Sequence, residues 1–543
     1  MSKIIEIGPE ARKKLTQGID KMANAVVATL GPNGRNVVIS KPNDYPQSTK
    51  DGVTVAKSIN LEDPIEELGV QMLKQAAIKT ADNAGDGTTT STLLARDMIN
   101  IGLKKLNDGA NAVDIKRGID VGVKAIVEEL RRNSEEIASQ DQLEQIATVS
   151  ANNDKTVGKL ISRAMEKVGR DGVIHIEESK NWETYLETVE GMQFDRGFKS
   201  PYFVTNNNTM TCTLNDVNIL IADHKFTQVK ELLPILNQCS SENKSLLIIA
   251  DDVDNEALAT LIVNKMRGTL KVCAVKSPEF GDRKKLILED IATLTGGEVF
   301  TKEKGMKLDR FDTNWFGEAR VATIGKDKTT IVDGKGESEA INQRVEELSQ
   351  QIEKAETPFE IERLQDRLAK FVGGVAIVHV GGNTELEMQE RKDRVDDALH
   401  ATKAALEEGI VTGGGMALLY SQEVLSNLEN GNPDYNFGIK IVRQACKKPF
   451  EQILTNAGKT ETEAQILSYG FEGSDNPWKG YNIKTGKETD MKEAGIIDPL
   501  KVTRSALQNA ASVAGTILLT EAVVVDKPED KNNTEVDPSM FGM

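Results

Sequence analysis

The chain has 543 residues, with 67 Lys+Arg against 84 Asp+Glu and a formal net charge of −17 at pH 7. That length exceeds one core and points to about three domains, while the acidic balance excludes a protein that holds phosphate backbones through clustered Lys and Arg. Aromatic residues make up only 4 %, so the cores are built from Ala, Val, Ile and Leu, which favours helical and α/β domains over an aromatic-rich β-sandwich.

No run approaches 18 consecutive apolar residues, and MSKIIEIGPEARKK has no apolar stretch followed by a small-residue cleavage site. The expectation is a cytoplasmic protein with no membrane partner. Cys212, Cys239, Cys273 and Cys446 are scattered without CxxC spacing, which reads as isolated buried thiols rather than a disulfide framework or a zinc site.

The first 130 residues have helical spacing broken by glycine-rich turns. Leu15, Ile19, Met22, Val26 and Leu30 share one helix face that stops at Gly31-Pro32-Asn33-Gly34. A short strand, NVVIS, follows, then helices over LGVQMLKQAAIKTADNAG, STLLARDMINIGLKKL and IKRGIDVGVKAIVEEL. The texture then changes: DGVIHIEES and NWETYLETVEGMQFD alternate as half-buried strands do, and NILIAD and SLLIIADDV are short apolar runs suited to buried strands. EALATLIVNKMRG reads as the next helix, and KVCAVK as the strand after it. Residues 338–371 form a charged helical hairpin broken at Thr357-Pro358, and GGVAIVHVGG is a strand between glycine pairs. From Glu385 the chain is helical again until a polar tail, so an α/β middle is inserted into a helical domain, with two crossings able to act as hinges.

The strongest local motif is Gly85-Asp86-Gly87-Thr88-Thr89-Thr90, between a helix end and a helix start. Glycines let a ligand approach the backbone and a helix N-terminus offers N–H groups to an anion, with Asp86 placed to hold Mg²⁺ against a phosphate. A C-capping glycine followed by N-capping threonines explains the same residues. Ala457-Gly458-Lys459-Thr460 ends like a Walker A loop, but Ile453 stands where its first glycine belongs. Thr412-Gly413-Gly414-Gly415, Thr29-Leu30-Gly31-Pro32 and Lys50-Asp51-Gly52-Val53 are glycine turns, each weak alone. On ELEMQERKDRVDDALHATKAALEEG, the positions Val395, Leu399, Thr402 and Leu406 face inward and leave Asp397 at the margin, where a surface acid is the plain reading. His175, His224, His379 and His400 have no spacing for a metal or a triad.

TLGPNGRNVV, KDGVTVA, GDGTTT, GMQFDRG, DIATLTGG, RVDDALHATKAALEEG, TGGGMAL and IIDPLKVTRSALQNAASVA, in this order over nearly the whole chain, resemble the group I chaperonins of the bacterial GroEL type. The resemblance implies the chaperonin fold, a multidomain α and α/β architecture. Its parts would be an equatorial ATP-binding domain (1–132 and 408–543), an intermediate hinge domain (133–189 and 376–407) and an apical substrate-binding domain (190–375), assembled into heptameric rings, single or double. It implies an ATPase that uses ATP, Mg²⁺ and K⁺ to promote folding of non-native polypeptides, with a lid co-chaperonin as a candidate partner. By position, Asp86, Gly87, Thr88, Thr89 and Thr90 form the phosphate loop, with Asp86 on Mg²⁺. Thr29, Leu30, Gly31, Pro32 and Lys50 line the nucleotide, with Thr29, Lys50 and Thr89 at K⁺. Gly414, Asn482, Ile483 and Asp498 hold the nucleoside. Asp397 positions and activates the attacking water, with Asp51 assisting. Phe198, Tyr202, Phe203, Leu233, Leu236, Leu258, Ile262 and Val263 match an apolar client-binding rim, although spacing alone assigns the LIV face of EALATLIVNKM to the core.

Several positions depart from the family pattern. Lys199 stands where an apolar residue is usual, Glu451 where a basic one is, Lys459-Thr460 where an acidic pair is, Asp108 where a small apolar residue is, and Ile483-Lys484 where small residues are. The tail lacks Gly-Gly-Met repeats. The resulting expectation is a divergent member, of viral or bacterial source, whose double ring is weak, transient or absent. A holdase ring without productive turnover is the alternative, and its mark, loss of Asp86 or Asp397, is not present. A small-molecule kinase or ATPase of another class is disfavoured by the lack of a Walker A or kinase loop set.

Overall fold

The computed structural model describes residues 2–527 except 41–45, 152, 170–171, 180–181, 190, 208, 309–310, 356, 373–374 and 475; the polar tail therefore lies outside the described residues. The chain opens with β1 (Lys3–Ile7) and α1 (Pro9–Val27), then β2 (Val37–Ile39), β3 (Gln47–Thr49), α2 (Gly52–Ser58), α3 (Pro64–Ala84), α4 (Thr88–Asn107), α5 (Ala112–Arg132), α6 (Gln140–Ser150) and α7 (Lys155–Val168). The middle runs β4 (Val173–Glu178), β5 (Tyr185–Val189), β6 (Gly191–Phe194), β7 (Cys212–Phe226), α8 (Val229–Glu242), β8 (Ser245–Val253), α9 (Asn255–Met266), β9 (Val272–Lys276), α10 (Asp282–Thr295), β10 (Gly317–Ile324), β11 (Thr329–Gly334), α11 (Ser338–Lys354), α12 (Pro358–Val372) and β12 (Val375–Val380). It closes with α13 (Glu385–Glu408), β13 (Ile410–Thr412), α14 (Met416–Ser421), α15 (Pro433–Asn456), α16 (Glu461–Phe471), β14 (Lys479–Asn482), β15 (Lys487–Asp490), β16 (Ile497–Pro499), α17 (Leu500–Leu519) and β17 (Ala522–Asp526).

Two compact units divide this chain: Met1–Ser162 with Glu178–Glu183 and Val380–Met543, and Arg163–Glu177 with Thr184–His379. The segments 133–189 and 376–407 contribute to both units.

The first unit is a helical bundle whose core joins Ile19, Met22 and Val26 of α1, Val70 and Leu73 of α3, Leu94 and Met98 of α4, Ile119 and Ile126 of α5 and Leu507, Ala514 and Ile517 of α17. Their i, i+3, i+4 and i+7 spacing is why these segments are helices at all: burial of one face outweighs the modest intrinsic propensity of the chain. Small residues permit close crossings. A Cβ on Gly118 of α5 would meet the Tyr435 carbonyl of α15 at 2.0 Å, so α5 and α15 touch backbone to backbone. The two chain ends pair as antiparallel strands, Lys3 opposite Asp526 and Ile7 opposite Ala522.

At the base of α17, Arg504 Nε donates to Glu408 Oε2 at 2.6 Å, with Arg504 Nη2 on the other oxygen. The guanidinium holds the Glu408 carboxyl below its ordinary value. A depressed folded value means the pair stabilises above the unfolded pKa of about 4.3 and loses that contribution as pH falls through the folded value. Glu408→Gln is therefore expected to cost about 1 kcal/mol at neutral pH, and thermal melts of the two proteins should converge as the pH is lowered below the usual glutamate range.

The second unit holds a six-stranded sheet in the order β6-β11-β10-β7-β8-β9, with β7, β8 and β9 parallel. Leu220, Ile221, Ile248, Ile249 and Ala274 are buried at its centre, which is why the central strands read as continuous apolar runs. The hairpin α11–α12 is pinned by Asp290 of α10, itself 1 % exposed as a side chain. Arg367 of α12 reaches both Asp290 oxygens at 2.7 and 2.8 Å, and Arg344 of α11 adds a third bond at 3.0 Å. All four cysteines are buried and free.

Candidate functional site

The site lies in the first unit, where four separate segments bring carboxylates together. Gly85 ends α3 with φ of 72° and Gly87 precedes α4 with φ of 84°, both left-handed, so the loop that carries Asp86 needs glycine on each side. Gly87 makes no side-chain cap, and the threonines begin α4 rather than capping it. The N–H groups of the first turn of α4 are thus without a side-chain cap, as an anion-binding turn requires and as the N-capping explanation does not. On Asp86, Oδ1 accepts from the Gly87 N–H at 2.5 Å and Oδ2 from the Ser150 hydroxyl at 3.2 Å.

Thr29 and Thr89 come together with hydroxyls 3.4 Å apart. Leu30 follows, its carbonyl accepting from Asn456 at 2.9 Å, and Gly31 turns with φ of 82° against Ile453, the residue in the place of a Walker glycine. Pro32 completes the turn. Lys50 leads from β3 into Asp51, whose carboxylate caps α2 by accepting from the Val53 and Thr54 N–H groups and the Thr54 hydroxyl at 3.1, 2.9 and 2.6 Å. Asp51 is therefore oriented by its own helix, a role the turn motif did not reveal. Gly52 beside it is required by contact: a Cβ there would lie 2.4 Å from the Thr89 hydroxyl and 2.8 Å from that of Thr88.

On the nucleoside side, β13 and β16 pair antiparallel with Val411 opposite Asp498, and the Gly414 N–H donates to Asp498. Gly414 has φ of 68°, and a Cβ on it would approach Met491 Cε at 3.4 Å. Ile483, Tyr481 and Ile496 pack against the same cluster as Met491. Asn482 uses its side-chain oxygen in the β14–β15 turn, accepting from the Lys484 N–H at 3.0 Å. Met491, 1 % exposed and packed beside Gly414, was flagged by no motif; only its packing identifies it. Thr460 and Glu463 cap α16 reciprocally, and the Lys459 ammonium lies 5.9 Å from the centroid of the Tyr481 ring.

Electrostatics bind the group together. Burial pushes the Asp397 carboxyl well above its ordinary value, and Asp86, Asp51, Asp396 and Asp393 add repulsion. Asp86 is raised by burial and by Asp51, against relief from Gly87, Ser150 and His400. Burial and then Asp86 lift Asp498 to about 7. Asp393, one turn before Asp397 on α13, is lifted to about 6 by burial, with Asp51 and Asp396 adding to it and the Gln389 bond at 2.8 Å opposing. Asp393 was missed in the sequence; its i, i−4 spacing from Asp397 was the available signal.

Desolvated carboxyls crowded in this way either keep their protons or take up a counter-cation. Among the described residues no three His, Cys, Asp or Glu side chains are arranged to hold a metal ion. Asp86, in the loop before the uncapped start of α4, is the type of carboxylate donor that Mg²⁺ takes one or two of, leaving the rest of its shell to phosphate and water. The uncapped turn and the close Gly52 contact fit a nucleotide phosphate in the same place.

In the second unit the matched rim residues divide. Tyr202, Leu233 and Val263 are exposed at 64 %, 45 % and 44 %, while Leu258, Ile262 and Phe198 are partly buried against the core. Phe203 and Leu236 are 0 % and 5 % exposed and belong to the core, because the short turn at 201–203 points Phe203 inward and Leu236 lies on the buried face of α8. Met266 on α9 is 67 % exposed as well. Lys199 is neutralised by Asp252 at 2.6 Å and Asp254 at 3.4 Å.

The solved structure of the chaperonin gp146 from the bacteriophage EL 2 (Pseudomonas aeruginosa), determined in the presence of ATP-BeFx, matches the fold with a TM-score of 0.67 and 22 % identity, over 97 % of this chain and 100 % of that one. The model of the TCP-1/cpn60 chaperonin family matches residues 22–528, and this chain belongs to that family.

Proposed function

We propose that this protein is an ATP-driven folding chaperone that binds non-native polypeptides on the second unit and couples their release to hydrolysis in the first. The observation that carries the reading is the convergence of Asp51, Asp86, Asp397 and Asp498 in a desolvated site beside an uncapped helix start. Asp86 would hold Mg²⁺, which supplies charge neutralisation on the phosphates when bound, and Thr29, Lys50 and Thr89 would hold K⁺. Asp397 orients and accepts the proton of the attacking water, and Asp51 assists from the start of α2. The presence of all four acids favours turnover over a holdase ring.

Clients are recognised by exposed Tyr202, Leu233, Val263 and Met266, an apolar surface that requires no sequence specificity. Tyr202→Ser with Val263→Ser is expected to weaken retention of a denatured client several-fold while phosphate release is unchanged; light-scattering of client aggregation beside an ATPase assay reads both.

Self-assembly into a heptameric ring in the cytoplasm, with three domains per subunit and a lid co-chaperonin, completes the proposal. The exposed apolar face of Ile5, Ile7 and Val524 on β1 and β17 supports assembly. Ring pairing is weak in this reading, because Glu451 is 9 % exposed and paired with Lys448 at 2.7 Å, and Thr460 is spent capping α16. Single-particle electron microscopy and native mass spectrometry with and without Mg-ATP test it. Heptamers that change shape with ATP support the reading, a double ring that survives turnover removes the ring-pairing part, and a monomer removes the whole.

A further inference from the structure

We propose that Ser150 is a positioning residue for the metal-binding carboxylate, fixing Asp86 and linking it to the helix that carries Asp397. The inference rests on the ATPase reading above. Mg²⁺ takes one or two carboxylates and fills the rest of its shell with phosphate and water, so the protein's hold on it depends on how firmly Asp86 is aimed. Asp86 Oδ1 is set by the neighbouring Gly87 N–H, a bond within its own loop; Oδ2 is set by the Ser150 hydroxyl at 3.2 Å, from a helix 64 positions away. Two bonds, one on each oxygen, stop rotation of the carboxylate and leave the remaining lone pairs for a cation.

Ser150 is not an isolated donor. It is the last residue of α6, and α6 packs on α13 through Ile146 in a cluster with Ala401 and Ala405, one and two turns beyond Asp397. Residues 151 and 147 close the end of α6 with a backbone bond of 2.9 Å, so the hydroxyl is presented from a formed helix end rather than a loose loop. On α13, the His400 ring lies against Gly85, where an added Cβ would be 2.2 Å from the His400 Cβ. Asp86 is therefore flanked by α6 through Ser150 and by α13 through the Gly85–His400 contact. A displacement of α13 carries α6 with it and strains or frees the Ser150 bond, so the hold on the cation and the placement of Asp397 change together.

The test is nucleotide binding followed by fluorescence of a labelled ADP while Mg²⁺ is titrated, on the full-length assembled protein. For Ser150→Ala we expect the Mg²⁺ concentration at half-saturation to rise about tenfold, the response to loss of one hydrogen bond to a charged group. Nucleotide affinity in EDTA should be unchanged, and Ser150→Thr, which retains the hydroxyl, should restore the wild-type midpoint. A merely structural serine would alter the EDTA and Mg²⁺ affinities alike. An unchanged midpoint in Ser150→Ala, or failure of Ser150→Thr to differ from it, overturns the assignment while the ATPase reading stands. Absence of Mg²⁺-dependent nucleotide binding in the wild type overturns the ATPase reading and this assignment with it.

Discussion

Asp397→Asn is expected to reduce phosphate release about 10²- to 10⁴-fold, the range for loss of a positioned general base, while binding of labelled ADP changes by no more than a few-fold. The side chain keeps its shape and can still hydrogen-bond, but it no longer accepts a proton. The carboxylate it replaces is one whose basicity is raised by burial and by Asp86, Asp51, Asp396 and Asp393, and a more basic carboxylate is the better proton acceptor in a dry site. Asparagine also removes one negative charge from the cluster, so nucleotide binding should tighten slightly rather than weaken. Single-turnover phosphate release against equilibrium ADP binding separates the two effects. Turnover retained in the variant would move the role of base away from Asp397, with Asp393 one turn earlier on the same helix as the next residue to change.

Asp290→Ala carries the largest expected effect on stability. Its carboxylate is buried and receives two bonds from Arg367, which is itself nearly buried, and one from Arg344. Arg344 keeps Glu347 at 3.1 Å, so most of the loss falls on Arg367, whose guanidinium would be left without that counter-charge. Breaking such a buried pair costs about 3–5 kcal/mol. Because the chain has two units, a single unfolding free energy is poorly defined, and hydrogen exchange is the better readout: α11 and α12 should lose protection while α4 and α17 keep theirs. Asp290→Leu combined with Arg367→Met should recover most of the protection, since replacing both partners removes the orphaned charge. Equal loss in the single and double variants would mean that the hairpin is held by its apolar contacts, through Leu348, Leu364 and Phe371, and not by the ion triad.

Sequence reading located the elements whose cause is local. The faces of α1, α3, α4 and α5, the apolar runs of β8 and β9 and the break between α11 and α12 all follow from spacing within a few turns of chain. Glycine turns at Gly31, Gly85, Gly87 and Gly414 were visible for the same reason, since a left-handed backbone is a property of one residue and its neighbours. The resemblance then joined Asp51, Asp86, Asp397 and Asp498 into one site, a step that no local pattern supplies.

Long-range packing decided the rest. Pairing of β1 with β17 joins residues more than five hundred positions apart, and neither strand is long or apolar enough to announce itself. Ser150 and Asp393 enter the site only because α6 and α13 pack together and bring their ends to one place. Phe203 is core and Tyr202, its neighbour, is surface, a difference set by which way a three-residue turn faces its sheet. The raised values of Asp397 and Asp498 have the same origin: both residues are ordinary acids in the sequence, and only the folded chain removes the water and adds the neighbouring charges that raise them. Amino-acid spacing determines which face of an element is buried; what that face is buried against, and therefore which polar groups lose solvent, is a property of the assembled core.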